Sequence, residues 1–463
     1  GSGWFNASSA LFVTGDLGAK TTSILAPYID LREVLKDPER LQNNLKARNL
    51  SFEVESLKDK WSLLLDACQV RDKLSNQLDL IVEKIKNAPD ENDLEHLKIH
   101  RNIVREDLKF VAPMIIELEK LTILEGLKLP NYLHRDTPFE DEVVKGGRES
   151  EEKFENSNLN HIEIGKKLDL LEFTNPVNYY LLNEAALFEL AVTDYFASSL
   201  QKSLGFINFS NADFCQSVII EGVGHEAKEV NAVFRLANFD KNPNEDEQTF
   251  LVGGASLEPF CAYHCKNTVH ASALPLRYVT QGRSYSNLSL YDLEGLYNVI
   301  QTNCVHIFAA TTDDEAAMMS EFNLLLNNIV ELYEKFNFNF RYSFVPASQL
   351  NVWESLRVSF QILSPYHGRY IEVGNLAISD DFISKRLRMH YHEVKRDLKF
   401  MKTISGSVVK VAPLLACILE RNQQKFIIPE CLSDHVVNTL KESFKRYSVS
   451  QIHLKMLIIL GIS

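Results

Sequence analysis

Two apolar seams joined by a turn constrain the fold of this chain more than any other feature of its sequence. The first seam runs from Leu57 to Ile85 in alternating steps of four and three residues, the pattern of a coiled-coil helix. Turn residues follow at 87–90, and a second seam with the same spacing runs from Leu94 to Leu118. The sequence therefore predicts an antiparallel helical hairpin roughly 45 Å long, with Pro113 expected to kink the returning helix.

The composition is that of a soluble globular protein with two or three domains, since 45% of the 463 residues are hydrophobic and 24% are charged. The net charge of −13 argues against a broadly basic surface that coats nucleic acid. Seven cysteines, scattered and odd in number, fit a reducing compartment better than a disulfide framework. The C-terminal apolar run Met456–Leu460 is too short to span a membrane.

Turn and charge signals divide the chain into four regions. An N-terminal segment covers residues 1–52, and the hairpin arm covers 53–127. Two prolines and an acidic stretch predict a solvated linker over 128–170. From 171 to 463, short apolar segments such as Val218–Ile220 and Val305–Phe308 predict strands, and a longer one, Ala316–Phe336, predicts a helix. The expected fold class is α+β, an antiparallel sheet domain preceded by the arm.

Ligand-type residues cluster at Cys261, His264, Cys265 and His270, but no second cysteine pair follows at zinc-finger spacing. No metal site is therefore expected. Gly1-Ser2-Gly3 is typical of an expression scar, so a native targeting peptide is expected to have been removed.

The segment from Thr403 to Leu415 resembles motif 3 of the class II seryl-tRNA synthetases, which reads Thr-Leu-Asn-Gly-Thr/Ser-Ala-Leu-Ala-Val-Pro/Gly-Arg and ends on an arginine that contacts ATP. Other matches follow the same register. Leu274–Tyr278 resembles the first strand of motif 2, Gly295–Tyr297 with Gln301 resembles its return strand, and Ile428–Glu430 resembles the terminal Ile-Pro-Glu signature. The resemblance covers nearly the whole chain. It implies a class II aminoacyl-tRNA synthetase-like antiparallel sheet domain with an N-terminal coiled-coil arm.

Against that register, the positions that hold ATP and serine in the family have changed. Pro413 stands in place of the motif 3 arginine, and a proline offers neither a charge nor a side-chain donor. The serine-binding Thr-x-Glu falls on residues 254–256, and the tip of motif 2 keeps only its aromatic residue. The changed positions are Gly254, Ser256, Ser286, Leu288, Asn298, His306, Asn375, Ile378 and Pro413. The family positions that persist are Arg277, Tyr285, Gln301, Glu372, Asp381 and Arg386.

The resemblance therefore implies an inactive paralogue of the mitochondrial synthetase, with no catalytic residue and no cofactor. Glu372 matches the family's metal-binding acid, but its partner serine is Asn375, so an ion pair or a helix cap is the expected role. The resemblance also implies a location in the mitochondrial matrix and dimerisation. The partner would be the active mitochondrial seryl-tRNA synthetase, for which the chain would act as a structural or regulatory subunit in mitochondrial translation, or a second copy of this chain.

Two other functions stay open. The arm could bind tRNA or another RNA, as it does in the family, although acids interleave with its basic residues and a solvated coiled-coil face would look the same. The candidate contacts are Lys58, Lys60, Arg71, Lys73, Lys84, Lys86, Lys98, Arg101, Arg105 and Lys109. An enzyme with another ligand in the reshaped cavity is the third hypothesis, but no nucleophile–base pair at a telling spacing supports it. That cavity is expected around Gly254, Ser256, Ile300, His306 and Ile378.

Overall fold

The structure of the chain is a computed structural model. It describes residues 9–11, 25, 27–86, 91–149, 158–175, 178–225, 234–236, 248–286, 293–394 and 397–436. The contacts divide the chain into two compact units, residues 1–130 and 131–463. Each unit has its own core.

The first unit is helical. Aspartates begin its two short helices, since the side chain of Asp30 accepts a hydrogen bond from the backbone of Glu33, and that of Asp37 accepts one from the backbone of Arg40. Its helices are α1 (Leu31–Lys36), α2 (Pro38–Ala47), α3 (Val54–Lys86) and α4 (Glu91–Gly126). The short helices pack on the base of α3 through a small apolar cluster that includes Leu31, Leu41 and Leu57.

The long helices α3 and α4 form the predicted antiparallel hairpin, which confirms this part of the fold class. Leu57 and Leu64 of α3 and Val104, Val111 and Ile115 of α4 are buried, as the seams predicted. Farther along α3 the register of burial shifts by one residue, so that Ile81 is buried where the seam predicted Val82. Helix α4 continues through Pro113. The predicted turn at 87–90 lies outside the described residues.

The second unit is organised around an eight-stranded sheet in the order β1-β11-β12-β13-β16-β10-β9-β4. The pairs are antiparallel except for the edge pair β4–β9, and this architecture confirms the predicted α+β class. The strands of this sheet are β1 (Val143–Arg148), β4 (Ile207–Asn208), β9 (Leu276–Tyr285), β10 (Gln301–Thr311), β11 (Phe340–Phe344), β12 (Leu356–Ser364), β13 (Arg369–Asp380) and β16 (Lys402–Lys410). The shorter strands are β2 (Leu171–Phe173), β3 (Tyr179–Leu181), β5 (Phe214–Gln216), β6 (Phe234–Arg235), β7 (Thr249–Leu251), β8 (Thr268–His270), β14 (His390–His392) and β15 (Leu398–Phe400).

Helices cover the sheet and complete the main core. They are α5 (His161–Lys167), α6 (Asn183–Leu204), α7 (Ser217–Val223), α8 (Leu257–His264), α9 (Glu315–Glu334), α10 (Phe382–Leu387) and α11 (Val411–Arg421). Helices α6, α9 and α11 contact the long strands, and large rings such as Phe196, Tyr333 and Phe360 fill the space between these layers. One face of the sheet is thereby committed to the core.

Two sequence predictions are corrected. Residues Val218–Ile220 belong to helix α7 rather than to a strand, because three consecutive apolar residues fit either element and only their packing decides. The region 128–170 is not an unstructured linker throughout, since β1 pairs with β11 and α5 lies inside it. Gly147 allows this close pairing, because an added Cβ would lie 2.3 Å from the carbonyl oxygen of Phe340.

No helix among the described residues is long and apolar enough to cross a bilayer. The run Met456–Leu460 lies outside those residues.

Candidate functional site: a cavity on the central strands

A cavity of about 860 Å³ lies on the strands β10, β12, β13 and β16. Strand alternation explains why polar residues face it, since Ser405 and Ser407 line the cavity while Ile404 and Val408 of the same strand enter the core. Eight of the positions singled out from the sequence meet here: Ser256, Tyr285, Ser286, Asn298, His306, Glu372, Asn375 and Pro413. Eight of the fifteen family positions considered in the sequence thus line one cavity.

Glu372 of β13 is held by two cations. Arg357 of β12 places its Nη2 2.7 and 2.8 Å from the two carboxylate oxygens, and Lys410 at the end of β16 places its Nζ 2.9 Å from Oε1. The hydroxyl of Ser359 donates to Oε2 at 3.0 Å, and the amide of Asn375 donates to Oε1 at 3.2 Å. Burial alone would raise the pKa of Glu372, but the two cations hold it well below the ordinary value. The carboxylate is ionised and fully engaged by protein groups.

Lys410 is a site residue that sequence reasoning missed. The family segment quoted above has alanine at this position, so a lysine there was a visible signal of a changed site. Arg357 gave no such signal, because it lies 53 residues from Lys410 along the chain and the two meet only through Glu372. The sequence therefore located the acid but not the cations that bind it.

A bulge in β13 brings Glu372 and Asn375 to the same face despite their spacing of three. The pairing register with β12 shifts between Phe360 and Gln361, opposite Gly374 and Glu372. Gly374 is required there because an added Cβ would lie 2.5 Å from the carbonyl oxygen of Val408. Asn375 then accepts a hydrogen bond from the backbone of Ser407 at 3.2 Å, which ties β13 to β16.

Pro413 lies in the first turn of α11. A proline is tolerated there because the first amide groups of a helix have no partner within it. The backbone of Ala412 instead donates to the hydroxyl of Thr302 on β10 at 3.2 Å. Where the family resemblance places an arginine, the chain thus has an uncharged residue in the first turn of a helix whose N-cap is Lys410.

His306 and Ser256 add no charge to their part of the cavity lining. His306 is 6% exposed, its Nδ1 lies 3.1 Å from the hydroxyl of Ser407, and burial lowers its pKa to about 4. Ser256 donates to the backbone carbonyls of Val252 and Gly253, so its hydroxyl serves the local turn. Near them, His225 lies 2.8 Å from Glu258 and packs against Trp353.

A buried network supports the floor of the cavity. His161 accepts a hydrogen bond from the backbone of Leu296 at Nε2, so its Nδ1 carries the proton and donates to Glu420 at 3.0 Å. The hydroxyls of Tyr297 and Ser364 donate to the other oxygen of Glu420 at 2.9 and 2.5 Å. Burial would raise the pKa of Glu420, but these hydrogen bonds lower it overall. Tyr297 is thus fixed at the edge of the cavity.

Other predicted positions lie away from the cavity lining. Arg277 forms a two-pronged pair with Glu321 at 2.7 Å, and Asp381 meets Lys385 at 2.9 Å. Ile378 and Arg386 are buried, and burial lowers the pKa of Arg386 to about 9. Gly254 donates its backbone N–H to Asp213, and Gln301 pairs with Tyr285 across β9 and β10. Leu288 lies outside the described residues. None of these residues forms a second site in the described ranges.

The arm neutralises part of its own positive charge. Lys58 meets Glu55, Lys60 meets Glu125, Arg71 meets Asp72 and Lys109 meets Glu106. Arg101 is half-buried and donates to Asn102. The remaining candidates are exposed: Lys73, Lys84, Lys86, Lys98 and Arg105.

The described residues contain no group of three His, Cys, Asp or Glu side chains that could hold a metal ion, the Cys261–His270 cluster included. His264 and Cys261 are instead buried core residues beside Phe308 and Phe260.

The hairpin, the antiparallel sheet and the cavity together define a seryl-tRNA synthetase fold. Among solved structures, seryl-tRNA synthetase from Pyrococcus horikoshii, complexed with ATP, matches with a TM-score of 0.78 and 17% identity over 89% of this chain and 98% of that one. Cytoplasmic serine-tRNA ligase from Naegleria fowleri, in complex with AMP, matches with a TM-score of 0.75 and 16% identity over 87% and 95%.

The chain belongs to the seryl-tRNA synthetase family, as a synthetase-like paralogue. It is 30% identical over 421 residues to the serine–tRNA synthetase-like protein Slimp of Drosophila melanogaster, covering 89% of this chain and 88% of that protein. It is 25% identical to the mitochondrial serine–tRNA ligase of Mus musculus over 440 residues, covering 89% and 83%. No protein-family model matches the chain.

Proposed function

We propose that this chain is a catalytically inactive seryl-tRNA synthetase paralogue that pairs with the active mitochondrial seryl-tRNA synthetase as a structural or regulatory subunit in mitochondrial translation. The state of Glu372 carries the inactive half of this proposal. A carboxylate bound by Arg357 and Lys410 offers no free oxygen pair to a Mg²⁺ ion, which needs hard anionic ligands. The residues present do not fit Mg-ATP.

The absence of the family's phosphate-binding arginines also supports the proposed inactivity. Pro413 and Ser286 line the cavity where the family resemblance places arginines that hold the triphosphate. Removing a single group that stabilises charge in a transition state typically lowers the rate by about 10² to 10³. Two such losses, if additive, would lower the rate of serine activation by about 10⁴ to 10⁶.

Exposed apolar residues support the part of the proposal that concerns pairing with the synthetase. Five of them fall between residues 180 and 214, which includes helix α6 and the two-residue edge strand β4: Tyr180, Leu182, Leu190, Ile207 and Phe214. Ile207 is 58% exposed on the edge strand β4, which pairs with β9 on one side, and the free side of an edge strand is a common place for a partner to bind. The similarity to mitochondrial serine–tRNA ligases over most of their length supports both the choice of partner and a mitochondrial location.

Two measurements test the proposal. The light-scattering mass after chromatography should show a one-to-one complex when the chain is co-expressed with the mitochondrial seryl-tRNA synthetase of the same organism. Serine-dependent ATP–pyrophosphate exchange should be absent for the chain alone and present for the complex. Exchange by the chain alone would contradict inactivity, and a stable homodimer that ignores the synthetase would contradict the partner.

A self-paired protein that binds tRNA through the arm is the second candidate. It is favoured by the exposed cations Lys73, Lys84, Lys86, Lys98 and Arg105 on the tip half of the hairpin. Phosphate contacts would make the affinity for tRNA fall steeply with salt, and the double substitution Lys84→Ala/Lys86→Ala should flatten that slope. An unchanged slope would count against RNA contact.

A further inference from the structure

A stripe of exposed apolar side chains runs along one face of the arm. Six side chains form it, none of them in the buried seam between α3 and α4. They are Leu63 (56% exposed), Val70 (46%), Ile99 (54%), Ile103 (54%), Phe110 (78%) and Met114 (45%). Six large apolar groups at these exposures are far more than scattered surface residues require.

The spacing places these residues in line. On α4, Ile99, Ile103, Phe110 and Met114 follow one another in steps of four, seven and four, which keeps them on one side of a helix. On α3, Leu63 and Val70 are one heptad apart. The contact of Lys60 with Glu125 sets the antiparallel register and brings Val70 level with Met114, so the two rows continue each other.

The stripe has an acidic border. Glu95, Glu106 and Glu117 recur every 11 residues along α4 and are all exposed. Eleven residues are close to three helical turns, so these carboxylates line up along one edge beside the apolar row. Lys109 lies 2.7 Å from Glu106, but an exposed pair of this kind binds weakly and leaves the edge negative in character.

We propose that this face of the arm docks an amphipathic helix of a partner protein, with apolar residues every three to four positions and lysine or arginine along the edge that faces α4. The stripe supplies the groove-like apolar surface for helix recognition, and the acidic border supplies charge complementarity and orientation. Phosphate groups are the wrong match, because the face offers apolar carbon and carboxylates. A second copy fits less well, since pairing α4 with its own copy brings the two acidic borders together.

The test uses the full chain and two labelled helical peptides with identical leucine heptads, one with lysine and one with glutamate at the flanking positions. Fluorescence anisotropy should show micromolar binding of the lysine peptide and at least tenfold weaker binding of the glutamate peptide. The double substitution Ile103→Ser/Phe110→Ser should weaken binding of the lysine peptide at least tenfold.

The matched control is Leu65→Ser/Ile116→Ser. These two residues are exposed by 39% and 55%, and each lies two positions after a stripe residue, on the other side of its helix. The control should bind the lysine peptide within twofold of the unchanged chain. Equal losses in both variants, equal binding of both peptides, or no binding at 200 µM would overturn the proposal.

Other occupants give distinct results. If Ile103→Ser/Phe110→Ser lowers the light-scattering mass and the control does not, the stripe binds a second copy of the chain. If Ile103→Ser/Phe110→Ser lowers only the affinity for tRNA, the stripe binds nucleic acid. Either result would overturn the protein-helix assignment. None of these readouts depends on serine activation or on the synthetase partner, so this inference and the proposed function can fail separately.

Discussion

At the scale of the residue, the pairing of Glu372 is the feature that supports the proposed inactivity. Its carboxylate keeps the charge that the family uses at this position, yet Arg357 and Lys410 occupy both of its oxygens. A retained acid is therefore no sign of retained metal binding. What matters is which groups reach its oxygens.

Glu372→Gln should destabilise the second unit by about 3 kcal/mol, because two cations would lose the charge that offsets them. Lys410→Ala should cost less, since Arg357 still pairs with the acid. Urea unfolding of both variants and of their combination measures the coupling. Additive effects would show that the pair is not coupled.

The pairing of Glu372 with Arg357 and Lys410 makes the stability of the chain depend on pH. The folded pKa of Glu372 lies well below 4.5, so its contribution to stability is present above pH 4.5 and is lost as the pH falls below that value. Glu372→Gln should therefore flatten the loss of stability between about pH 5 and pH 3. An equally steep loss in the variant would assign the acid sensitivity to other carboxylates.

Replacing His264 by an apolar ring should increase the stability of the chain. It is 1% exposed, stacks on Phe308 at 5.5 Å, and neither ring nitrogen has a hydrogen-bond partner among the described residues. His264→Phe should stabilise the chain by about 1–2 kcal/mol at pH 8, because an unsatisfied buried polar group is removed.

Burial lowers the pKa of His264 to about 4 from 6.5, so the unfolded chain takes up this proton first as the pH falls. The histidine therefore costs stability progressively between pH 6.5 and 4, on the order of 3 kcal/mol in total. Thermal unfolding across that range should show a shallower decline for His264→Phe. The exposed His96→Gln serves as control and should leave the decline unchanged.

At the scale of the element, α4 carries a proline in its interior. Pro113 lies between the stripe residues Phe110 and Met114 and cannot donate to the carbonyl oxygen of Lys109. Tertiary packing of Val111 and Ile115 against α3 holds the helix together across this position. The helix therefore lacks one backbone hydrogen bond next to Phe110, which is 78% exposed.

Pro113→Ala should restore the missing hydrogen bond and stabilise the arm by up to about 3 kcal/mol. Amide hydrogen exchange should slow for residues 109–117 and stay unchanged in the second unit. Unaltered exchange on both sides of residue 113 would mean that packing already protects this turn fully.

At the scale of the whole molecule, the proposed pairing places the interface at the edge strand β4. Ile207→Asp on β4 should abolish pairing, so that the light-scattering mass falls to that of one chain while the unfolding temperature of the monomer is retained. Val394→Asp, at a residue 71% exposed, is the matched control and should pair normally. Loss of pairing in both variants would reject β4 as the interface.

Elements with a local sequence pattern could be predicted from the sequence. Elements that are defined by contacts between distant residues could not. The seams predicted the hairpin correctly, but the shift from Val82 to Ile81 depends on how the two helices wind about each other. Strand β1 was hidden because its residues are mostly exposed and two are glycines, and only its pairing with β11 defines it.

The candidate site also contains some residues that a local sequence pattern predicted and others that only the folded sheet brings together. Motif spacing brought eight positions to one cavity, while the pairing of Arg357 and Lys410 on Glu372 depends on strand order in the folded sheet. The network of His161, Tyr297 and Glu420 joins residues up to 259 positions apart. No local pattern carries that information.

Under the proposed inactivity, the lysine at residue 410 makes the loss of serine activation difficult to reverse. A substitution that restored arginine at 413 would add a third positive group to a wall where two already share one carboxylate. Such a variant would gain repulsion before it gained a phosphate contact. Lys410 would have to disappear first, at a cost in stability and with no catalytic gain. Under the proposed inactivity, a return to serine activation therefore requires the loss of Lys410 before the gain of an arginine at 413, and the cost in stability disfavours the first of these two steps.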